Sequence, residues 1–263
     1  MKKLKELKQL NIRNNGDYYI IGKQTQDKIY KYMTLGNAIN SFMSNSICFV
    51  EPVVWKDNYE SRFYTCSYGP TCINQIVDTP KLYASCFTKN KVSEAAWYIY
   101  SHKYSGLDSI CVMVEIDLNN FRKSLSKAIG SKDIVYEGAI NYQLSQSMLD
   151  TLHLPNNRLH NLFANNFSLK NYLNLLLLKR PFFSYENEVR FFINKYNDNN
   201  KTSNANATPL IVQNINWALF IKSITIHSRI DSVEYKILEQ ICKNNNIKTN
   251  IKTNKPENWE FSE

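Results

Sequence analysis

The sequence predicts a mixed α/β (α+β) protein, and three observations predict it. Runs rich in Tyr, Ile, Val and Phe recur at strand length, as at 83–88 and 110–117. Stretches between them carry apolar residues at helical spacing, as at 35–45 and 93–100. The last third ends strand, helix, strand, which suggests a terminal βαβ-like unit.

Taken in order, residues 1–10 read as a short amphipathic helix, because Leu4, Leu7 and Leu10 fall three apart. The polar stretch 11–17 breaks it. Strands are expected at 18–21 and 28–32. A helix over 35–45 would carry Ala38, Ile39, Phe42 and Met43 on one side. A short buried strand at 47–50 leads into a loop over 52–60. Strands at 83–88 and 110–117 flank a helix over 93–100, whose Ala95, Ala96, Ile99 and Tyr100 cannot all face water. Helices are expected at 141–150 and 169–179, the second ended by Pro181, since proline cannot continue a helix interior. Residues 189–195 read as a strand and 197–208 as a polar surface loop. A strand over 217–227 precedes a helix capped by Asp231 or Ser232 and running to about Lys243, and a last strand covers 247–252. No linker-like composition divides the chain, so 1–263 is expected to be one domain, with 1–27 as an N-terminal helix and extension.

Hydrophobic residues make up 43% of the chain and aromatics 13%, enough for a sizeable core. The formal net charge is +9, a surplus that favours anionic partners such as nucleic acid, a phosphorylated cofactor or an acidic protein. Six cysteines occur without a CxxC pair, and there are only four histidines, so no metal site is expected. Cys48, Cys86 and Cys111 sit in apolar runs and read as reduced core thiols. No signal peptide and no run approaching the ~20 apolar residues of a membrane span are visible, so a cytoplasmic protein without a membrane partner is expected. GxGxxG, GxxxxGK[ST], GxSxG and HExxH are all missing, which removes the common phosphate-loop, nucleophile-elbow and zinc-protease readings.

The chemistry-bearing candidate is Tyr185-Glu186-Asn187-Glu188-Val189-Arg190. On a strand, side chains alternate faces, so Glu186, Glu188 and Arg190 would share one face with the carboxylates about 7 Å apart. Two such carboxylates repel unless a cation or ligand offsets them, and Arg190 is placed to do so. The cluster suits an acid/base group or the hydroxyls of a ribose. The same pattern also suits the solvated face of an edge strand, but Phe191-Phe192-Ile193 points to a central strand. Lys179-Arg180-Pro181-Phe182-Phe183 adds an aromatic, cationic approach to that end. Three further patches carry weaker signals. Asp57 and Asn58 favour a turn that Glu60 can pin. Thr88 after a strand, with Trp97 and Tyr100 following, suits either ring stacking or core packing. Lys31 falls on the opposite face from Tyr30 and Tyr32.

Together, Tyr30-Lys31-Tyr32, Asp57 with Tyr59 and Glu60, Cys86-Phe87-Thr88, Trp97 with Tyr100, Glu115, and Tyr185-Glu186 with Glu188 and Arg190 resemble, in order over 28–255, a bacterial family of domains of unknown function. Lys56, Asn58, Ala96 and Ile99 depart from its pattern. More loosely, the layout resembles the ADP-ribosyltransferase superfamily. That resemblance implies ADP-ribosyltransferase-like central sheets with surrounding helices, and NAD as the donor. It also implies a toxin or anti-phage defence effector acting on nucleic acid or protein, with a cognate antitoxin or defence-system partner. Glu188 would then bind the ribose 2′-hydroxyl and Glu186 help to activate the acceptor. Lys31 or Tyr32 would contact the cofactor, Thr88 and Trp97 line the nicotinamide pocket, Tyr100 and Arg190 assist in binding, and Asp57, Glu60 and Tyr185 support the site. The alternatives are a non-catalytic nucleotide- or nucleic-acid-binding module, and a metal-dependent nuclease using Asp57, Glu60 and the glutamate pair.

Overall fold

The structure, a computed structural model, describes residues 7–9, 17–22, 26–55, 57, 60, 82–91, 93–101, 106–144, 169–195 and 208–254. The strands are β1 (Leu7–Gln9), β2 (Asp17–Ile21), β3 (Lys28–Thr34), β4 (Ile47–Phe49), β5 (Leu82–Thr88), β6 (Cys111–Asp117), β7 (Ile134–Ala139), β8 (Glu188–Asn194), β9 (Leu210–Val212), β10 (Ile221–His227) and β11 (Asn250–Asn254). The helices are α1 (Leu35–Met43), α2 (Glu94–Ser101), α3 (Leu118–Ala128), α4 (Leu169–Leu176) and α5 (Ser232–Asn244). Short 3-10 turns cover Pro52–Val54, Gly106–Ser109, Pro181–Glu186 and Trp217–Leu219. The class is mixed α+β, as the sequence predicts. Among the described residues no helix is long and apolar enough to cross a membrane.

The chain forms two compact units, each assembled from three segments. One comprises Met1–Gln24, Phe49–Cys86 and Ile129–Leu210; the other comprises Thr25–Cys48, Phe87–Ala128 and Ile211–Glu263. The chain passes between them five times, which is why composition shows no linker.

In the first unit the strand order is β1-β2-β7-β8-β5. β1 runs antiparallel to β2, β2 parallel to β7, and β7 antiparallel to β8. β8 is therefore internal, and its burial is unbroken from Glu188 to Ile193. Its alternation puts Glu188, Arg190 and Phe192 on one face and Val189, Phe191 and Ile193 on the other. α4 lays Tyr172, Leu173 and Leu176 against Tyr136, Ile140 and Phe192 in a buried cluster. Each of these large side chains contributes about 1.5–3 kcal/mol by leaving water. Gly138 is what allows this approach, since a Cβ there would fall 2.3 Å from Leu177 Cδ1.

In the second unit the order is β3-β6-β10-β11. The first two pairings are antiparallel, and β10 runs parallel to β11 through α5, which completes the expected strand, helix, strand unit. Val112, Val114 and Ile116 line one face of β6 and are fully buried. Phe42, Phe87, Phe121, Trp217 and Phe220 form a chain of ring contacts at 5.1–5.2 Å between centroids. The helices begin where side chains can accept free backbone N–H groups. Thr34 Oγ1 caps Asn37, Ser93 Oγ caps Ala96, and Asp117 Oδ1 caps Asn120.

Several elements differ from expectation. Residues 7–9 form a strand, not a helix, because pairing with β2 overrides the leucine spacing. Residues 141–144 are not helical, and the remainder of the 141–150 helix lies outside the described residues. α4 ends at Leu176, before Pro181, which instead opens a 3-10 turn. The stretch expected as one strand over 217–227 is a 3-10 turn followed by β10. α3 and β7 are elements the sequence reading did not include. Cys48 is exposed rather than a core thiol and Cys86 is half-buried, whereas Cys111 and Cys242 are buried; none of the four is in a disulfide. The polar loop expected at 197–208 lies outside the described residues, apart from Thr208.

Candidate functional site

The site belongs to the first unit and is built where β8 begins. Asn187 adopts a left-handed conformation (φ 44°, ψ 50°) that ends the Pro181–Glu186 turn and starts the strand. Asparagine tolerates that region better than most residues. Glu186 is consequently not on the strand, contrary to the shared-face expectation; only Glu188 and Arg190 keep that relation. The start of β8 is pinned twice. Glu188 N donates to Tyr142 Oη at 2.7 Å, and Ile140 N donates to Glu188 O at 3.0 Å.

Lys179 arrives from the segment after α4. Its backbone is clamped, with its N–H donating to Asn141 O at 3.1 Å and its carbonyl accepting from Leu144 N at 3.2 Å. Its ammonium lies 2.5 Å from Glu186 Oε2, 3.2 Å from Glu188 Oε2 and 3.3 Å from Glu60 Oε1. Arg190 is 2% exposed. Its Nε donates to Glu188 Oε1 at 2.8 Å, its Nη2 to Glu188 Oε2 at 3.0 Å and to Glu60 Oε2 at 2.5 Å, and its Nη1 to Leu176 O at 2.6 Å. Its guanidinium carbon stacks 4.1 Å from the Trp55 ring centroid. Gly138 stands opposite Arg190 in the β7–β8 register, so the sheet leaves room for this long side chain and for Leu177. Arg180 sits beside the cluster, bonded to Asp57 Oδ2 at 3.2 Å and stacked 4.8 Å from the Phe183 centroid.

The electrostatics follow from a count. Glu60, Glu186 and Glu188 bring three negative charges, and Lys179 and Arg190 bring two positive ones, which leaves one negative charge in excess. Burial alone would raise the Glu188 carboxyl, but Arg190 and Lys179 overcome it and, with a bond from the Cys86 thiol, hold it at about 2. At Glu186 the balance is the opposite one. Burial outweighs Lys179 there, and the neighbouring Glu188 and Glu60 charges add to it, so its carboxyl is raised. Burial would lower the Lys179 ammonium, yet the three carboxylates carry it above its ordinary value. One carboxylate is therefore held ionised, while a second, with 27% of its side chain exposed, holds a proton more readily. Separated environments of this kind mark acid/base pairs. Among the described residues no group of three or more His, Cys, Asp or Glu is placed to hold a metal ion. Lys179 fills the position between the three carboxylates.

The structure thus brings together Glu186, Glu188, Arg190, Glu60 and, through Arg180, Asp57. Glu60 does more than pin a turn: its N–H does bond to Asp57 O at 3.0 Å, but its carboxylate serves Arg190 and Lys179. Tyr185, 42% exposed, stands on the same 3-10 turn as Phe182, which is 80% exposed. Tyr142 carries no signal in the sequence that marks it as a site residue. Lys179-Arg180 was read as a cationic approach, which located it without revealing that its charge is turned inward.

The other sequence candidates lie in the second unit. Tyr32 meets Trp97 edge-on at 5.3 Å and stacks with Tyr100 at 6.5 Å, and its hydroxyl donates to Lys91 O at 3.2 Å. Trp97 is 5% exposed and packs with Tyr30, Cys111 and Met113, the core alternative of the sequence reading. Lys31 points to the opposite face, its ammonium 4.4 Å from the Phe87 ring centroid, so it shares no face with Tyr32. Thr88 Oγ1 accepts from Asn90 N at 3.0 Å and so shapes the turn after β5. Glu115 is held by Lys28 at 2.6 Å and Ser223 at 2.8 Å. Comparison with protein-family models, curated proteins and solved structures finds no match. What the fold and site define is a mixed α+β protein carrying a buried ionic cluster with one partly exposed carboxylate at its edge.

Proposed function

We propose that the chain is an enzyme acting on an N-glycosidic bond: an ADP-ribosyltransferase with NAD as donor and a macromolecule, nucleic acid before protein, as acceptor. The carrying observation is the split pair of Glu188, held ionised by Arg190 and Lys179, and Glu186, raised and partly exposed at the edge. When the bond from ribose to nicotinamide breaks, positive charge grows on the ribose carbon, and fixed negative charge nearby lowers that barrier. Nicotinamide leaves as a neutral amide, the acceptor's nucleophile forms the new bond to the same carbon, and its proton passes to Glu186. The net charge of +9 favours an anionic acceptor. A cytoplasmic toxin or anti-phage effector restrained by a cognate partner fits such an activity.

A second reading, a non-catalytic binding module, is favoured by one observation. Both oxygens of Glu188 are already engaged by Arg190 and Lys179.

The test uses NAD labelled on its adenylate half, mixed with the purified protein or its Glu186→Gln variant and with RNA, DNA or cell protein. Label transferred to one macromolecule by the parent protein and lost in the variant is the expected result. Free ADP-ribose alone would make the chain an NAD hydrolase. Equal labelling by both would remove Glu186 from the chemistry. No turnover and no NAD binding would leave the binding module as the account of this site.

A further inference from the structure

Two clefts of the second unit adjoin around the C-terminus of α5. One, of about 700 Å³, is lined from α5 and β11 by Lys243, Lys248 and Lys252, with Glu239 as the acidic residue of its lining. Three lysines against one glutamate leave two positive charges in excess. Glu239 pairs with Lys243 at 3.5 Å, so the excess sits on Lys248 and Lys252. Both are exposed, and among the described residues neither carries an ion pair. The other cleft, of about 480 Å³, shares Asn246 with the first and is lined by Asn45, Asn214 and Asn216. The side-chain amides of these four asparagines make no hydrogen bond among the described residues. The mount is fixed. Asn246, left-handed at φ 56°, turns the chain out of α5. Ile247 N donates to Cys242 O at 2.8 Å, Thr249 Oγ1 to Lys222 O at 3.0 Å and Tyr235 Oη to Ile251 O at 3.3 Å. The last carbonyls of α5 are taken up by its own cap, Ile241 O by Asn245 N and Nδ2, and Lys243 O by Asn246 N. The negative end of the helix therefore offers these acceptors to its own chain and not to a ligand.

We propose that the two clefts form one track for a single strand of nucleic acid, with Lys248 and Lys252 meeting its phosphates and the asparagine amides its sugar and phosphate oxygens. Lysine and asparagine side chains are among the groups that commonly contact phosphate and sugar. Each amide brings two donors and an acceptor without charge, which suits a chain whose phosphates alternate with hydroxyl-bearing sugars. A small anion would be held by the lysine cleft alone, whereas an elongated ligand uses both clefts. An acidic peptide would satisfy the lysines but has less use for a row of free amides. The inference deepens the transferase reading by naming a single-stranded acceptor and rests on it for the acceptor role; the binding stands on the clefts alone.

The test follows the fluorescence anisotropy of dye-labelled oligouridylate and oligothymidylate strands over a range of salt, with the full chain and without any need for turnover. Binding of either strand by the parent is expected, and binding of neither would overturn the proposal. Lys248→Gln with Lys252→Gln should weaken binding about tenfold and lower the slope of log affinity against log salt by about 1.4, two contacts at about 0.7 each. Both lysines are exposed, so the variant should keep the parent's fold. Lys123→Gln with Lys127→Gln removes the same charge from exposed positions on α3 and should leave affinity and slope near the parent's. Equal weakening by the two pairs would show that net charge alone is at work and would overturn the track. Asn216→Ala should weaken binding about threefold with the slope unchanged, since a neutral contact is lost. Unchanged affinity in that variant would confine binding to the lysine cleft and overturn the continuous track. Oligoglutamate that competes as well as a strand of equal charge would make the surface one for acidic peptides and overturn the nucleic-acid assignment. Strand binding without transfer of label from NAD would remove the transferase reading and leave the track intact. Transfer of label with binding unaffected by Lys248→Gln and Lys252→Gln would do the reverse.

Discussion

Arg190 grips Glu188, two residues before it on β8, through Nε at 2.8 Å and Nη2 at 3.0 Å, and its remaining Nη1 donates to Leu176 O. The arginine thereby ties the strand to the end of α4 while neutralising a buried carboxylate. Replacing it by methionine keeps bulk beside Trp55 but leaves Glu188 and Glu60 with Lys179 alone. Removing one partner of a buried pair typically costs about 3–5 kcal/mol, because the other charge stays buried. Arg190→Met is expected to lose that much in urea unfolding at neutral pH. A loss under about 1 kcal/mol would mean that the carboxylates are reached by water and that the pair is worth no more than a surface one.

The two glutamates predict opposite pH dependences. Glu188 is depressed to about 2 in the folded state, so its contribution is present above the ordinary carboxylate range and is lost as pH falls through that range towards 2. Glu186 is raised, so the folded protein holds its proton more tightly than the unfolded chain does. That contribution is present below the ordinary carboxylate value and is lost as pH rises through the raised one. Glu186→Gln removes this dependence. The stability of the variant relative to the parent should therefore improve as pH climbs from about 4 to about 8. Thermal melts of both proteins across that interval measure the difference, and a gap constant with pH would show that Glu186 is not raised.

Gly138 stands opposite Arg190 and lets α4's C-terminal segment close on β7. An alanine there would place its Cβ 2.3 Å from Leu177 Cδ1, 3.0 Å from Cδ2 and 3.2 Å from Cγ, so the whole leucine end must move. Overpacking of this kind costs about 1–3 kcal/mol. Gly138→Ala should destabilise by that amount, and adding Leu177→Ala should recover part of it, giving a negative coupling in a double-mutant cycle of denaturant midpoints. Additive losses would show that Leu177 is not what Gly138 makes room for.

How much of this was legible depends on the range of the interaction. The period-2 relation of Glu188 to Arg190 was readable because it lies within one strand. Glu186 was misplaced because Asn187 turns the backbone left-handed, and asparagine in that conformation gives no pattern beyond its own identity. The inward direction of Lys179 was not readable, since one of the carboxylates it meets, Glu60, is distant in sequence. α3 was hidden because Leu118, Phe121 and Leu125 continue directly from the strong strand β6. β7 was hidden because Glu137 and Gly138 interrupt its apolar run. The buried Glu137 is satisfied by Tyr18 Oη at 2.6 Å across β2 and β7, a pairing distant in sequence. The α1 and α5 helices and the strands β3, β5 and β6 were found because their signals are local.

The start of α5 is the clearest local signal and gives the last prediction. Asp231 Oδ1 accepts from Val233 N at 2.8 Å and Glu234 N at 2.7 Å, while Glu234 Oε2 accepts from Asp231 N at 3.1 Å. This reciprocal capping box satisfies donors that the helix cannot satisfy itself. α5 carries the chain from β10 to its parallel neighbour β11, so fraying its first turn loosens the connection that sets that pairing. Asp231→Ala is expected to lower stability by about 1 kcal/mol, and Asp231→Asn, which keeps the accepting oxygen, by only a few tenths. Denaturant titrations of the three proteins separate the two contributions. An Asn variant as unstable as the Ala variant would assign the effect to the aspartate's charge at the positive end of the helix rather than to its hydrogen bonds.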